Sequence, residues 1–223
     1  MDFVRITSID DPLFKQMYAL MQRIFPPEEV LAFDLWAEPL QDDSLRVCVA
    51  VHEGTVVGAT EYRYWPEQNV AMTDFTFIGQ AGLGIGRFLY VHRKKDIEEW
   101  SARHKMTPIG MFAEIYDPYR ASIHEFGKNK VMDPFVRREV LSHLGYKRID
   151  FPYVHPSWTN TGEAVTELDF CFLPTDESMA VIPATRVADF LERYYSILEN
   201  KPAAWHAMIA DLRTRETLAL LPL

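Results

Sequence analysis

Three glycines at every second position, Gly82, Gly84 and Gly86, sit in the stretch DFTFIGQAGLGIGRFLYVHRKK that covers residues 74–95. An apolar, β-branched and aromatic run enters them, and a helix-like pattern leaves them. Glycine adopts backbone angles that other residues avoid and lets the chain approach a ligand closely. The first turn of a helix adds unpaired N–H groups and the positive end of the macrodipole. Together these make a seat for a phosphate, which needs donors and positive potential but no side-chain bulk. Carboxylates in neighbouring apolar runs could move protons. Asp74 lies two residues before Thr76 in the run entering the glycines, so the spacing predicts one sheet face for both. Glu114 interrupts the run MFAEIY, and Glu61 is a third such residue. Burial of an unpaired carboxylate is costly and raises its pKa towards values useful in catalysis; the alternative is that each meets solvent or an ion-pair partner.

The spacing separates the phosphate-binding turns. A P-loop ends Gly-Lys-Ser/Thr, whereas Arg87 and Phe88 follow the last glycine here. Counting G-x-G-x-x-G from Gly82 ends on Arg87, so the dinucleotide fingerprint and the kinase loop fail together. What remains, Ala81-Gly82-Leu83-Gly84-Ile85-Gly86, resembles the pyrophosphate loop of the GNAT acyltransferase superfamily, Arg/Gln-x-x-Gly-x-Gly/Ala after the fourth strand. Gly84 and Gly86 match its small positions and Ile85 the apolar one between them. Ala81 stands where Arg or Gln is usual, with Gln80 one place early. A strand-to-helix turn without a ligand is the competing reading.

The resemblance implies an acetyl-CoA or other acyl-CoA co-substrate and no metal. The backbone of Ala81, Gly82, Leu83, Gly84, Ile85, Gly86 and Arg87 would hold its pyrophosphate. Thr76, Phe77 and Ile78 would pair with the pantetheine arm as an added strand does, a mode indifferent to side chains. The implied reaction is N-acyl transfer to a small-molecule amine by direct attack on the thioester. It requires a base for the ammonium proton and a donor for the oxyanion, and the thiolate must leave. Asp74 and Glu114 are the candidate bases. Related enzymes often carry a leaving-group Tyr four residues before a Gly-Phe pair, but before Gly145-Tyr146 that position is Leu141. Tyr146, His143 and Tyr153 are nearby substitutes, and Tyr153 is the first choice; core packing or an exposed helix position is the competing reading of each. Leu141 also favours a second possibility, a non-catalytic acyl-CoA-binding or regulatory module. Transfer from an acyl-carrier protein fits less well, since no basic docking surface stands out. The acceptor pocket of this fold is lined by 25–36 and 116–133. Here these hold Glu28, Glu29, Trp36, Tyr119, Arg120, His124 and Glu125; an acidic first helix pair would suit a cationic amine, and Arg120, Lys128 and Lys130 would suit an acceptor that also bears a carboxylate.

The elements that must position these residues follow from periodicity. A strand over 2–8 precedes a helix capped by Asp11 with Pro12 at its first position, which Pro26-Pro27 ends. A short helix carries Val30 to Trp36. Strands over 46–51 and 55–64 flank a hairpin turn at Glu53-Gly54. A strand over 70–78 enters the glycines, a helix follows over 85–103, and a strand covers 108–116. Asp133-Pro134 opens a helix that Gly145 closes, and strands cover 146–154 and 164–173. That order predicts an α/β fold, a mixed and mostly antiparallel sheet with helices on both faces, and it matches the GNAT order over about 2–175. Two helical stripes at 183–215 read as a C-terminal extension packed on the 1–175 domain; a homodimer contact or a lid over the acceptor are the sharper readings.

Composition bounds the rest. The chain has 223 residues, 48% hydrophobic and 25% charged, ordinary for a soluble protein. No run approaches the ~20 apolar residues of a membrane helix, and the N-terminus lacks the features of a secretion signal. A cytoplasmic protein is expected, with Cys48 and Cys171 as buried reduced thiols. A net charge of −9 disfavours nucleic acid, which requires a basic face. The basic run His92 to Lys95 reads as a solvated helix face.

Overall fold

The computed structural model describes residues 1–25, 30–120, 133–158 and 160–223. They fall into two compact units, Met1–Met111 with Asp133, and 112–120 with 134–223.

The first unit is built on four antiparallel strands in the order β1 (Asp2–Ile6), β2 (Leu45–His52), β3 (Thr55–Trp65) and β4 (Val70–Ile78). Glu53 and Gly54, at φ 49° and 77°, close the β2–β3 hairpin as a two-residue turn requires. Helix α1 (Pro12–Ile24) begins as its sequence predicts: the Asp11 side chain accepts a 2.8 Å hydrogen bond from the Leu13 N–H. Alternation along β2 divides its side chains between two cores. Val47, Val49 and Val51 join Phe14, Met17 and Met21 of α1, while Ala50 joins Ile85 and Leu89 of α2 (Ile85–Arg103). Helices therefore cover both faces. A Cβ at Gly58 would lie 2.7 Å from Ile85 Cγ2 and 2.8 Å from the Phe77 carbonyl; the missing side chain seats the first turn of α2 on β3.

The ladder between β3 and β4 is not regular. Glu61 pairs with Phe75 but Tyr62 pairs with Thr73, leaving Asp74 as the extra residue of a β-bulge. The expected helix over Val30–Trp36 is a single 3₁₀ turn, Phe33–Trp36, followed by another at Pro39–Gln41. Pro39 lacks the N–H that a continuing helix would use. Pro26-Pro27 lie outside the described residues.

The second unit has the strand order β5 (Gly110–Tyr116, entering at Phe112), β9 (Leu168–Pro174), β6 (Lys147–Ile149), β11 (Thr217–Pro222) and β10 (Val181–Pro183). A small hairpin pairs β7 (His155–Pro156) with β8 (Ala164–Val165). The expected strand over 146–154 is thus cut to three residues, and 164–173 is divided between β8 and β9. Pro152, with no N–H to donate, falls where pairing stops. Strand β11 was not expected: it pairs Leu220 with Ile149 and Leu218 with Ile182. Its signal is the alternation of Thr-Leu-Ala-Leu-Leu, with Leu218 and Leu220 buried. Helices α3 (Pro134–His143), α4 (Ala184–Tyr194) and α5 (Ala203–Thr214) complete the unit. The stripes read from sequence are the buried ones, Val187, Phe190 and Leu191 on α4 and Trp205, Met208, Ile209 and Leu212 on α5.

Cys48 and Cys171 are free and buried, and burial pushes the Cys48 thiol up to about 12. Among the described residues no helix is long and apolar enough to cross a membrane.

Candidate functional site

In the first unit, β4 ends at Ile78 and α2 begins at Ile85, with the glycine turn between them. Gly84 is the N-cap at φ 67°, ψ 24°, a left-handed conformation that glycine holds without steric cost. A Cβ built at Gly82, Gly84 or Gly86 meets nothing within 4 Å. Gln80, Ala81, Gly82, Gly84 and Arg87 are exposed, while Ile85 is buried and anchors the helix start. The turn is an open cradle with no side chain filling it, at the amino end of a 19-residue helix. That arrangement fits a diphosphate.

The bulge in β4 rearranges the candidate carboxylates. Thr73 and Thr76 both turn to the α2 side, where each accepts from Arg93 Nη1, at 2.8 and 2.7 Å. Asp74 turns the other way, to Arg63 at 3.5 Å, and Arg63 also reaches Glu61 at 3.8 Å and Asp42 at 2.9 Å. Asp74 and Thr76 are therefore on opposite faces, because the extra residue breaks the two-residue alternation between them. Asp74 and Glu61, read separately from sequence, form one carboxylate pair. Burial, reinforced by the neighbouring Asp74 charge and opposed by Arg63, pushes the Glu61 carboxyl well above the usual carboxylate range. Hydrogen bonds from Ser44 and the charge of Arg63 outweigh partial burial at Asp42 and hold it low. The like charges of Asp74 and Glu61 disfavour ionisation of both together, so the two carboxyls titrate as a coupled pair.

Arg93 lies in the middle of the buried face of α2, with Ile85, Leu89, Ile97 and Trp100. It is 3% exposed, and its Nη1 donates to the hydroxyls of Thr60, Thr73 and Thr76. The solvated basic face expected at 92–95 is corrected for this residue. Its place in the i, i+4 series 85, 89, 93, 97 was the available signal. Tyr62 continues the polar layer by donating to Asp96 at 2.7 Å.

The second unit brings Glu114 and Tyr153 together. The Tyr153 hydroxyl donates to Glu114 Oε1, and so does the hydroxyl of Tyr195, which follows α4. The two phenol oxygens are 2.8 Å apart. Burial first, then the charge of Glu114, pushes both phenols well above their ordinary value, so both stay protonated as donors. His155 Nε2 lies 3.8 Å from Glu114 Oε2, and its Nδ1 is buried without a hydrogen-bond partner. Tyr195 and His155 were not singled out from sequence. Tyr195 falls one residue outside the α4 stripe, and nothing local links it to a strand ending at Tyr116. The alternatives to Tyr153 lie elsewhere: Tyr146 is 2% exposed, and His143 is exposed with Nδ1 2.8 Å from the Glu139 carbonyl. Leu141 is half-buried on α3.

Of the residues expected around an acceptor, Trp36 is buried, edge-on to Phe14 and Phe75. Tyr119 is 81% exposed. Arg120 pairs with Asp117 and Asp169 and lines a polar cavity of about 490 Å³ with Arg138, Arg148 and Arg215. Glu28, Glu29, His124, Glu125, Lys128 and Lys130 lie outside the described residues.

No protein-family model matches the sequence, and no curated protein matches it. The fold does have counterparts among solved structures. A GNAT-family structure from Bacteroides thetaiotaomicron aligns at TM-score 0.61 with 12% identity, over 90% of this chain and 98% of that one. An aminoglycoside 6'-N-acetyltransferase complexed with coenzyme A aligns at 0.52 with 16% identity, over 77% and 95%. The ribosomal-protein-S18-alanine N-acetyltransferase of Escherichia coli aligns at 0.51 with 16% identity, over 80% and 95%.

Proposed function

We propose that this chain, which has the GNAT fold, is an N-acyltransferase that moves an acetyl or other short acyl group from CoA to the amine of a small molecule. The observation that carries the reading is the open glycine cradle at the β4–α2 junction, downstream of the bulge in β4. Its amides and the amino end of α2 would hold the CoA diphosphate. The backbone of Thr76, Phe77 and Ile78 would pair with the pantetheine arm. Acetyl-CoA supplies the activated acyl group. The protein's own part is proton handling: the Asp74–Glu61 pair or Glu114 accepts the ammonium proton of the acceptor, and Tyr153, kept protonated, is a hydroxyl donor. The acyltransferase domain is taken as 1–175, with the elements beyond 183 as its extension.

The test is thermal shift with acetyl-CoA, longer acyl-CoAs and free CoA, followed by CoA release over a panel of amines. A tight ligand stabilises the folded state by mass action, about 2.7 kcal/mol at a hundredfold excess over Kd. Wild type should shift and Gly84→Asp, with charge placed in the cradle, should not, while Gly84→Asn, which also tolerates the left-handed conformation, keeps most of the shift. Equal shifts in wild type and Gly84→Asp remove the reading.

Leu141, standing where related enzymes place a Tyr, supports a second reading: an acyl-CoA-binding module of the same fold without turnover. Clear CoA binding with no CoA release above background for any amine would establish it.

A further inference from the structure

The environment of Glu114 has a charge imbalance that the proton-handling role leaves unused. Its Oε1 accepts from two neutral phenols, Tyr153 and Tyr195. Among the described residues no lysine or arginine pairs with it. Among the described residues the one basic group within ion-pair range is His155, at 3.8 Å from Oε2, with no hydrogen-bond partner at Nδ1. The carboxylate is not sealed off, because its side chain keeps 15% of its exposure.

Its surroundings are aromatic. His155 and Tyr195 meet edge-on with centroids 5.4 Å apart, Trp158 lies 5.2 Å from Tyr195 and 6.1 Å from His155, and Tyr194 is 5.7 Å from Trp158. Trp158 is 50% exposed and gives the group its solvent-facing member. A carboxylate beside aromatic rings, partly open to water and lacking a strong internal cation among the described residues, attracts an organic cation. The carboxylate supplies the charge, the rings supply cation–π attraction and cover the substituents. One carboxylate selects one ammonium. A polyamine or an amino sugar would bring further charges with no second carboxylate in the group to meet them.

The geometry points to Glu114, Tyr153, His155, Trp158 and Tyr195 as a receptor for a single organic ammonium group carried on an apolar or aromatic body. Resting on the transferase reading, it names the acceptor as a monocationic amine of that kind. The receptor lies wholly within the second unit, and Tyr195 gives the C-terminal segment a part in it.

The experiment titrates the full chain calorimetrically with tetramethylammonium, which cannot be acylated, with benzylamine, and with benzyl alcohol as a neutral match. Both cations should bind saturably, with benzyl alcohol at least about tenfold weaker. Trp158→Ala, at a half-exposed position, should keep the wild-type melting temperature and weaken both cations about tenfold, while Trp158→Phe retains most of the affinity. Glu114→Gln should remove the preference for benzylamine over benzyl alcohol. Absence of saturable cation binding overturns the proposal, as does equal cation affinity in wild type, Trp158→Ala and Glu114→Gln. Acetyl-CoA binding is measured on the same samples. Cation binding without CoA binding upholds the receptor and removes the transferase reading; CoA binding without cation preference upholds the transferase reading and removes the receptor.

Discussion

Tyr153 and Tyr195 are 42 residues apart in sequence and 2.8 Å apart at their hydroxyls, and both donate to one oxygen of Glu114. A loop after β6 and the end of α4 are thereby tied to the middle of β5. Hydrogen bonds to a charged group are worth roughly 1.5–3 kcal/mol each, so the cluster is both a candidate reactive group and a structural tie.

Its two phenols should act as a unit. Tyr153→Phe or Tyr195→Phe alone leaves Glu114 one donor, and the double substitution leaves neither. The double variant should lose about 1–2 kcal/mol more than the sum of the single losses, a coupling within the usual range for residues in one network. Urea denaturation of the four proteins of this cycle measures it, and strict additivity would show that the phenols stabilise the fold independently.

Glu61 should make stability depend on pH. Its folded-state value is raised above the ordinary 4.5, so the folded protein holds a proton that the unfolded chain has released. The stability associated with that proton is fully present below the unfolded value and is lost as pH rises through the folded one. Glu61→Gln cannot lose it. Wild type and Glu61→Gln should follow parallel stability curves near pH 4, and the variant should gain on wild type as pH increases above about 4.5. Denaturant midpoints across pH 4–8 test this; curves parallel over the whole range contradict it.

Gly58 should be intolerant of any side chain. The first Cβ would meet Ile85 and the Phe77 carbonyl below 3 Å, so Gly58→Ala must displace the start of α2. Overpacking of this kind costs roughly 1–3 kcal/mol. Because Ile85 anchors the glycine cradle, acetyl-CoA affinity should fall with stability. Calorimetric unfolding with and without acetyl-CoA reads both quantities, and an unchanged affinity would separate the helix start from the cradle.

Arg93 should tolerate loss of charge better than loss of volume. Thr60 and Thr76 already share a hydrogen bond of 2.9 Å, and Thr76 also donates to the Phe75 carbonyl. Arg93→Met keeps the space filled and should cost about 1 kcal/mol. Arg93→Ala leaves a cavity and should cost about 2–5 kcal/mol, the usual range for large-to-small core changes. Chemical denaturation decides between this order and its reverse, in which the guanidinium charge itself is the stabilising feature.

Sequence alone determined what depends on neighbours along the chain. The cap at Asp11, the hairpin at Glu53-Gly54, the strand Val70–Ile78 and the helix Ile85–Arg103 are all where local pattern puts them, because caps, turns and periodicity are set within a few residues. The glycine spacing likewise marked the open turn between β4 and α2. Only the tertiary structure decided which side chains meet. The bulge at Asp74 reversed the face of a carboxylate and joined it to Glu61, since an extra residue is defined by the partner strand and not by the strand itself. Burial of Arg93 depended on three threonines from β3 and β4. Tyr195 and His155 came to Glu114 through the docking of segments far apart in the chain, and β11 found its place between β6 and β10. Such contacts are fixed by long-range packing, on which local periodicity is silent.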